Sequence, residues 1–196
     1  MSAKPLLYCI GSAAVGGFVE LTYGSSLVSA HGSQLAAVTP AILIGTGFWT
    51  LMHGFEVGKA RTKYAELAKK DGESDVDERY SLPNLYAQGT SKHVKAFNCV
   101  QRSHQHIFET FTAAIVSGLA GAVTFPICTS ISTLMYAVGK SDLGRYYLSK
   151  GYLECEGDSS KRYKYSVAKY MWYGLLGNIA LGTTSCIFVM CGKKKL

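Results

Sequence analysis

The chain has 196 residues, of which 48% are apolar and only 17% charged, with 21 glycines, four prolines and a formal net charge of +7. A soluble domain usually carries about 25% charged residues, and the charges here are also segregated: residues 21–55, 110–139 and 170–192 contain no Lys, Arg, Asp or Glu. Each of these runs exceeds the roughly 20 residues a helix needs to cross a hydrocarbon core, which excludes disorder, collagen, a disulfide scaffold and an ordinary soluble enzyme.

The first 33 residues read as an apolar extension. Within it, PLLYCIGSAAVGGFV at 5–19 follows the single Lys4 and has the look of a signal-peptide core. At fifteen residues it is short for a span, so a buried or interfacial helix and a fifth span both stay open. Residues 34–57 predict the first span, with Pro40 in its opening turn, where a missing N–H costs little. The polar stretch 65–95, with AKKDGESDVDE, Pro83 and Gly89, reads as a solvated loop.

Amphipathic helix resumes near Phe97. The uncharged run 110–139 is too long for one spanning helix at about 1.5 Å per residue, and Pro126 is its natural break. The expectation is a tight hairpin there, with span two over 100–124 and span three over 127–150. A charged loop follows at 153–165 and a fourth span at 168–191, whose Gly174, Gly177 and Gly182 suit close helix packing. The predicted fold is therefore all-α: an integral membrane four-helix bundle protomer over 34–191, an extra N-terminal apolar segment over 1–33, and a basic tail over 192–196.

Nine Lys and Arg lie in 58–103 and seven in 140–169, against four at the two chain ends, so the positive-inside rule puts both loops in the cytosol. The basic residues flank apolar runs rather than line a soluble face, which makes the charge topological and argues against nucleic acid. The six cysteines form no CxxC pair, and Cys in an apolar run acts as a small hydrophobe. His104 and His106, two residues apart on a helix, point about 200° away from each other, so no metal site is expected.

The chemistry is concentrated at the start of span two, FNCVQRSHQHIFE, residues 97–109. Arg102, His106 and Glu109 stand at i, i+4 and i+7 and share a helix face, with Asn98 and Gln105 close to it. Ionisable groups at membrane depth normally face a bundle interior or a water-filled cavity. The stripe reads either as an Arg–Glu lock between helices or as a site for a small zwitterion, Arg for a carboxylate and Glu for an ammonium group.

FNCVQRSHQHIFE, with VGKARTKY at 57–64 and GRYYLSKGY at 144–152, resembles the MAPEG family of membrane glutathione-handling proteins, in particular its type 3 microsomal glutathione transferase branch. The similarity covers about residues 38–190. It implies a homotrimer with glutathione as co-substrate, bound between protomers near the cytosolic face. By position it implies glutathione contacts at Arg102, Glu109, Arg61 and Tyr152, at Lys161 or Arg162, and beside them at Gln105 and His106. His106 stands where the family has Asn, Thr110 where some branches have Tyr, Thr62 where some have the thiol-activating cation, and Leu148 where a Tyr is usual. Arg61 or Lys63 is then the candidate thiol activator, since a nearby cation lowers a thiol pKa.

Three functions follow from the resemblance. One is a membrane glutathione transferase or peroxidase acting on lipophilic electrophiles or lipid hydroperoxides, in detoxification or lipid metabolism. Another is a catalytically silent relative serving among unrelated subunits of a larger membrane assembly, and the third is a non-catalytic lipid-binding adaptor. The expected partners are membrane lipid, glutathione and further protein subunits. The expected location is the endoplasmic reticulum or a mitochondrial membrane.

Overall fold

The computed structural model describes residues 3–141, 155, 157, 158, 160, 161 and 169–192. Among them every regular element is helical: α1 (Ala3–Tyr23), α2 (Ser25–Lys70), α3 (Val76–Arg79), α4 (Lys92–Thr124), α5 (Pro126–Lys140) and α6 (Tyr170–Met190). Among the described residues, α2, α4 and α6 are long and apolar enough to cross a membrane. The protein is an all-α integral membrane protein. It divides into two compact units, Met1–Gly47 with Glu109–Gly139 and Lys169–Leu196, and Phe48–Phe108 with Lys140–Ala168.

Several elements run beyond their predicted limits. The N-terminal apolar segment is a 21-residue helix rather than fifteen residues. The first span is part of a 46-residue helix kinked at His31 (φ −132°, ψ 23°). Pro40 therefore lies inside α2 instead of in an opening turn, a placement membrane helices tolerate because neighbouring groups satisfy the freed backbone. Span three is helical over Pro126–Lys140, and its predicted continuation to 150 lies outside the described residues.

In the first unit, α4 gives way to α5 across Phe125, with Pro126 at the first helical position, where its fixed φ and missing N–H are harmless. Phe125 has no side-chain acceptor for the free amides of the first turn of α5. Glu20 of α1 supplies one: its buried carboxylate accepts from Ile127 N at 2.9 Å and Cys128 N at 2.8 Å. A negative charge also opposes the positive end of the helix dipole there. Gly16 and Gly17 bring α1 against Cys128 and Phe125, where a Cβ would stand 3.2 Å from each side chain. The helix α1 also packs on α6.

The predicted small-residue faces of α6 do the packing expected of them. A Cβ on Gly174 would collide with the backbone of Tyr136 and Ser132, and one on Gly182 would lie 2.6 Å from Ser117 O. Polar ties bridge neighbouring helices of this unit: Thr39–Ser130 at 3.0 Å between α2 and α5, Thr124–Ser185 at 2.8 Å between α4 and α6, and Asn178 Nδ2 to Thr133 Oγ1 at 3.1 Å between α6 and α5. Each is worth about 0.6 kcal/mol on average in a membrane, so close backbone approach carries more of the packing than any one of them.

The second unit corrects the reading of 65–95 as a solvated loop. The helix α2 continues to Lys70, and the segment after it folds back against Val57 and Ala68 of α2 and Val94, Phe97 and Val100 of α4, burying Val76, Tyr80 and Ala87 among them. Two arginines hold this turn. Arg61 Nη1 donates to Tyr80 O at 2.9 Å, and its Nη2 donates to Asn84 O and Leu85 O at 2.9 and 3.1 Å. Arg79 donates to Gln88 O at 2.8 Å and Ser74 O at 3.1 Å, and pairs with Glu73 at 2.9 Å. Gly89, at φ +110°, passes so close to the Arg79 guanidinium that a Cβ would stand 2.9 Å from Nη2.

Candidate functional site

The helix α4 is unbroken from Lys92 to Thr124, so Arg102, His106 and Glu109 keep their helical register. At 3.6 residues per turn they fall within about 60° of one another. Exposure grades along the stripe: His106 is buried, Arg102 and Gln105 are half-buried, and Glu109 is exposed. Arg102 and Glu109 are both engaged by other groups. Glu109 sits beside exposed Phe108 and, further along, Val116 and Leu119.

Two stripe residues have partners that sequence reasoning missed. Gln105 Oε1 accepts a short hydrogen bond from the hydroxyl of Tyr86, delivered by the folded turn. His106 meets Lys140, the last residue of α5, which is 1% exposed: Lys140 Nζ lies 2.7 Å from His106 Nδ1 and donates to His106 O at 2.9 Å. An ammonium has donors only, so Nδ1 accepts and the ring proton sits on Nε2. Contacts between residues 34 positions apart leave no periodic trace in a sequence.

A second polar pair lies nearby. His53 Nε2 is 2.8 Å from Ser103 Oγ, which in turn donates to Val100 O at 2.7 Å. The one hydroxyl hydrogen is spent on the carbonyl, so His53 is the donor and Ser103 is no activated nucleophile. The His53 ring also stacks on Trp49 at 5.2 Å and lies 5.8 Å from His104. This is a clamp between α2 and α4. Among the described residues, no group of three His, Cys, Asp or Glu is placed to hold a metal ion.

Arg61 occupies the turn described above, with its guanidinium 4.6 Å from the Phe97 ring centre. Its position is thus set by three main-chain carbonyls and an aromatic face. Thr62 and Lys63 are exposed on the same helix, and Lys63 Nζ lies 5.3 Å from the Tyr64 ring centre. Tyr80 is buried beneath the turn, and desolvation pushes its phenol up to about 12, so it stays protonated and serves the core. Thr110 bonds the hydroxyl of Tyr136 from α5 at 3.0 Å, so a phenol does reach position 110, from another helix. Tyr152, Leu148 and Arg162 lie outside the described residues, and of the pair Lys161/Arg162 only the exposed Lys161 is described.

No solved structure matches the chain. A family profile does, over residues 39–141, a stretch that holds α4, the folded turn and the whole polar stripe. With more than half its length matched, the chain belongs to the MAPEG family.

Proposed function

We propose that the protein is an integral-membrane glutathione transferase or peroxidase acting on lipophilic electrophiles or lipid hydroperoxides. One observation carries the reading: Arg102, Gln105, His106 and Glu109 occupy a single stripe of an unbroken helix within the family-matched stretch. Arg102 would hold a carboxylate of the tripeptide and Glu109 its ammonium group, with Gln105 and His106 adding neutral contacts. A homotrimer whose stripe faces an adjacent protomer belongs to the same reading, because ionisable side chains at membrane depth normally face a bundle interior or a water-filled cavity. Tyr152 and Arg162 are further proposed contacts.

The thiolate sulfur attacks the electrophilic carbon and displaces its leaving group. With a hydroperoxide it attacks the terminal oxygen and breaks the O–O bond, so that the alkoxide leaves and takes a proton to become the alcohol, and the thiol of a second glutathione converts the resulting sulfenic acid to disulfide and water. Holding the soluble nucleophile against a bilayer-dissolved partner provides the proximity. The apolar faces of the spanning helices would admit the lipophilic partner from the bilayer. Lys63 is the favoured thiol-activating cation, because Arg61 is held by the turn.

The engagement of Arg61 and the presence of Thr62 also favour a second reading, a catalytically silent relative within a larger assembly. Replacing Arg102 by Ala tests binding itself. It should cost about 2–5 kcal/mol of glutathione affinity, the scale for truncating one partner of a buried charge pair. Calorimetry showing glutathione bound equally well by Arg102→Ala rejects the site. A wild-type protein that binds no glutathione favours the silent reading.

A further inference from the structure

Among the described residues, the large exposed apolar side chains outside a helix are Leu82, 78% exposed, and Leu85, 49% exposed. Both stand on the Ser81–Leu85 turn, and neither is there through looseness of the backbone. Arg61 grips the carbonyls on either side of the tip, at Tyr80, Asn84 and Leu85. Within the turn, Asn84 N donates to Ser81 O at 3.1 Å, Ser81 Oγ donates to Glu78 O at 2.8 Å, and Asn84 Nδ2 donates to the same oxygen at 3.4 Å. Buried Tyr80 and Ala87 anchor the two flanks. The fold has therefore fixed two leucines outward on a frame that could equally have carried polar residues.

The position of that frame says what they face. The apolar stretch of α2 ends at Val57, and its Phe48, Leu51 and Phe55 are exposed within a helix long and apolar enough to cross a membrane. Arg61 is four residues further on, about 6 Å along the axis at 1.5 Å per residue. The headgroup layer on each side of a hydrocarbon core is roughly 5–8 Å deep. A turn tied to Arg61 by three hydrogen bonds is held at that level, within an arginine side chain's length. The charges nearby are of both signs, Lys59 and Lys63 beside Glu56, Glu66 and Asp77, so the surface does not select anionic lipid by charge. What it offers is preordered apolar area at interfacial depth, and leucine is a residue that lies in the boundary between headgroups and acyl chains.

We propose that the Ser81–Leu85 turn is a membrane-interface anchor, its Leu82 and Leu85 side chains inserted at the headgroup–acyl boundary of a zwitterionic phospholipid bilayer. The anchor is independent of glutathione chemistry and fixes the depth at which α2 and the start of α4 stand in the membrane.

The test places tryptophan at the tip, as Leu82→Trp and separately as Leu85→Trp, in the full chain carrying Trp49→Phe and Trp172→Phe, reconstituted in phosphatidylcholine vesicles. Insertion predicts blue-shifted emission, stronger quenching by lipids brominated near the headgroup end of the chain than near its methyl end, and severalfold shielding from aqueous iodide. Full iodide access without bromolipid quenching overturns the proposal, because the tip then lies in water. A blue shift that bromolipid leaves untouched also overturns it, because protein, such as a second copy, then covers the tip. The unsubstituted protein supplies an independent check. A lipid-tethered carbene should label the 80–86 segment as well as 34–57, and labelling confined to 34–57 counts against the anchor.

Discussion

Substituting Arg61 by Lys separates the part the guanidinium plays in the fold from any part its charge plays in chemistry. Lysine keeps the charge but loses the planar fork that reaches three carbonyls at once. A hydrogen bond involving a charged group contributes about 1.5–3 kcal/mol, so the three together have an upper bound of roughly 4.5–9 kcal/mol. The bond to Leu85 O is solvent-exposed and those to Tyr80 O and Asn84 O only part-buried, while an ammonium can retain one of them. The net cost of opening the turn is then about 1.5–4 kcal/mol, a factor of roughly ten to a thousand at 1.36 kcal/mol per decade. Amide hydrogen exchange in detergent or vesicles reads this directly. The amides of Asn84, Ala87 and Gln88, bonded to Ser81 O, Asn98 Oδ1 and Arg79 O, should exchange faster by that factor. The amides of α6 should be unaffected. If the turn exchanges at the wild-type rate in Arg61→Lys, the guanidinium is not what holds it.

Three further outcomes follow from other features. Glu20→Ala leaves two amides of the first turn of α5 without their acceptor and should destabilise the protein by about 0.5–2 kcal/mol, the range for losing an N-cap; an unchanged unfolding midpoint in denaturant refutes the cap. Hydrogen bonds from Lys92 and then His93 hold the Asp71 carboxyl below the usual carboxylate range, so its stabilising contribution is present above the unfolded-state pKa and fades as pH falls through the folded one. The difference in thermal stability between wild type and Asp71→Asn should therefore shrink on acidification through that range, and a pH-independent difference contradicts the linkage. Thr62→Arg should lower the thiol pKa of bound glutathione by one to several units, each about 1.36 kcal/mol, visible as rising thiolate absorbance at neutral pH. A wild type whose bound thiol is already strongly depressed, and which Thr62→Arg leaves unchanged, would assign that role to Lys63 or Arg61.

The features legible in the sequence were those whose cause is local. Pro126 fixes a hairpin because its own ring forbids a continuous helix, and Gly174 and Gly182 announce close packing because they lack a side chain to prevent it. The extension of α2 to Lys70 was hidden by charge, although Ala60, Tyr64 and Ala68 keep an i, i+4 spacing beneath the lysines. The folded turn left no periodic signal at all, since arginine bonds to carbonyls, and every residue has one. The stripe on α4 was readable as a helix face, but Tyr86 and Lys140 reach it through the fold alone, and no spacing rule points to them. The glutathione assignment rests on the family, not on the periodicity.

The carboxylate of Glu20 and the amides it receives are separated by 107 and 108 positions in the chain. At about 5–20 residues per second, a ribosome needs roughly 5–20 s to make the second partner after the first. During that interval an acidic side chain on an apolar helix has no designated companion, and a carboxylate in hydrocarbon is costly. The contact between α1 and the first turn of α5 is therefore one that only a chain already made through Cys128 can form. Capping of α5 is thus a late event in the making of the chain, set by the separation of its two partners.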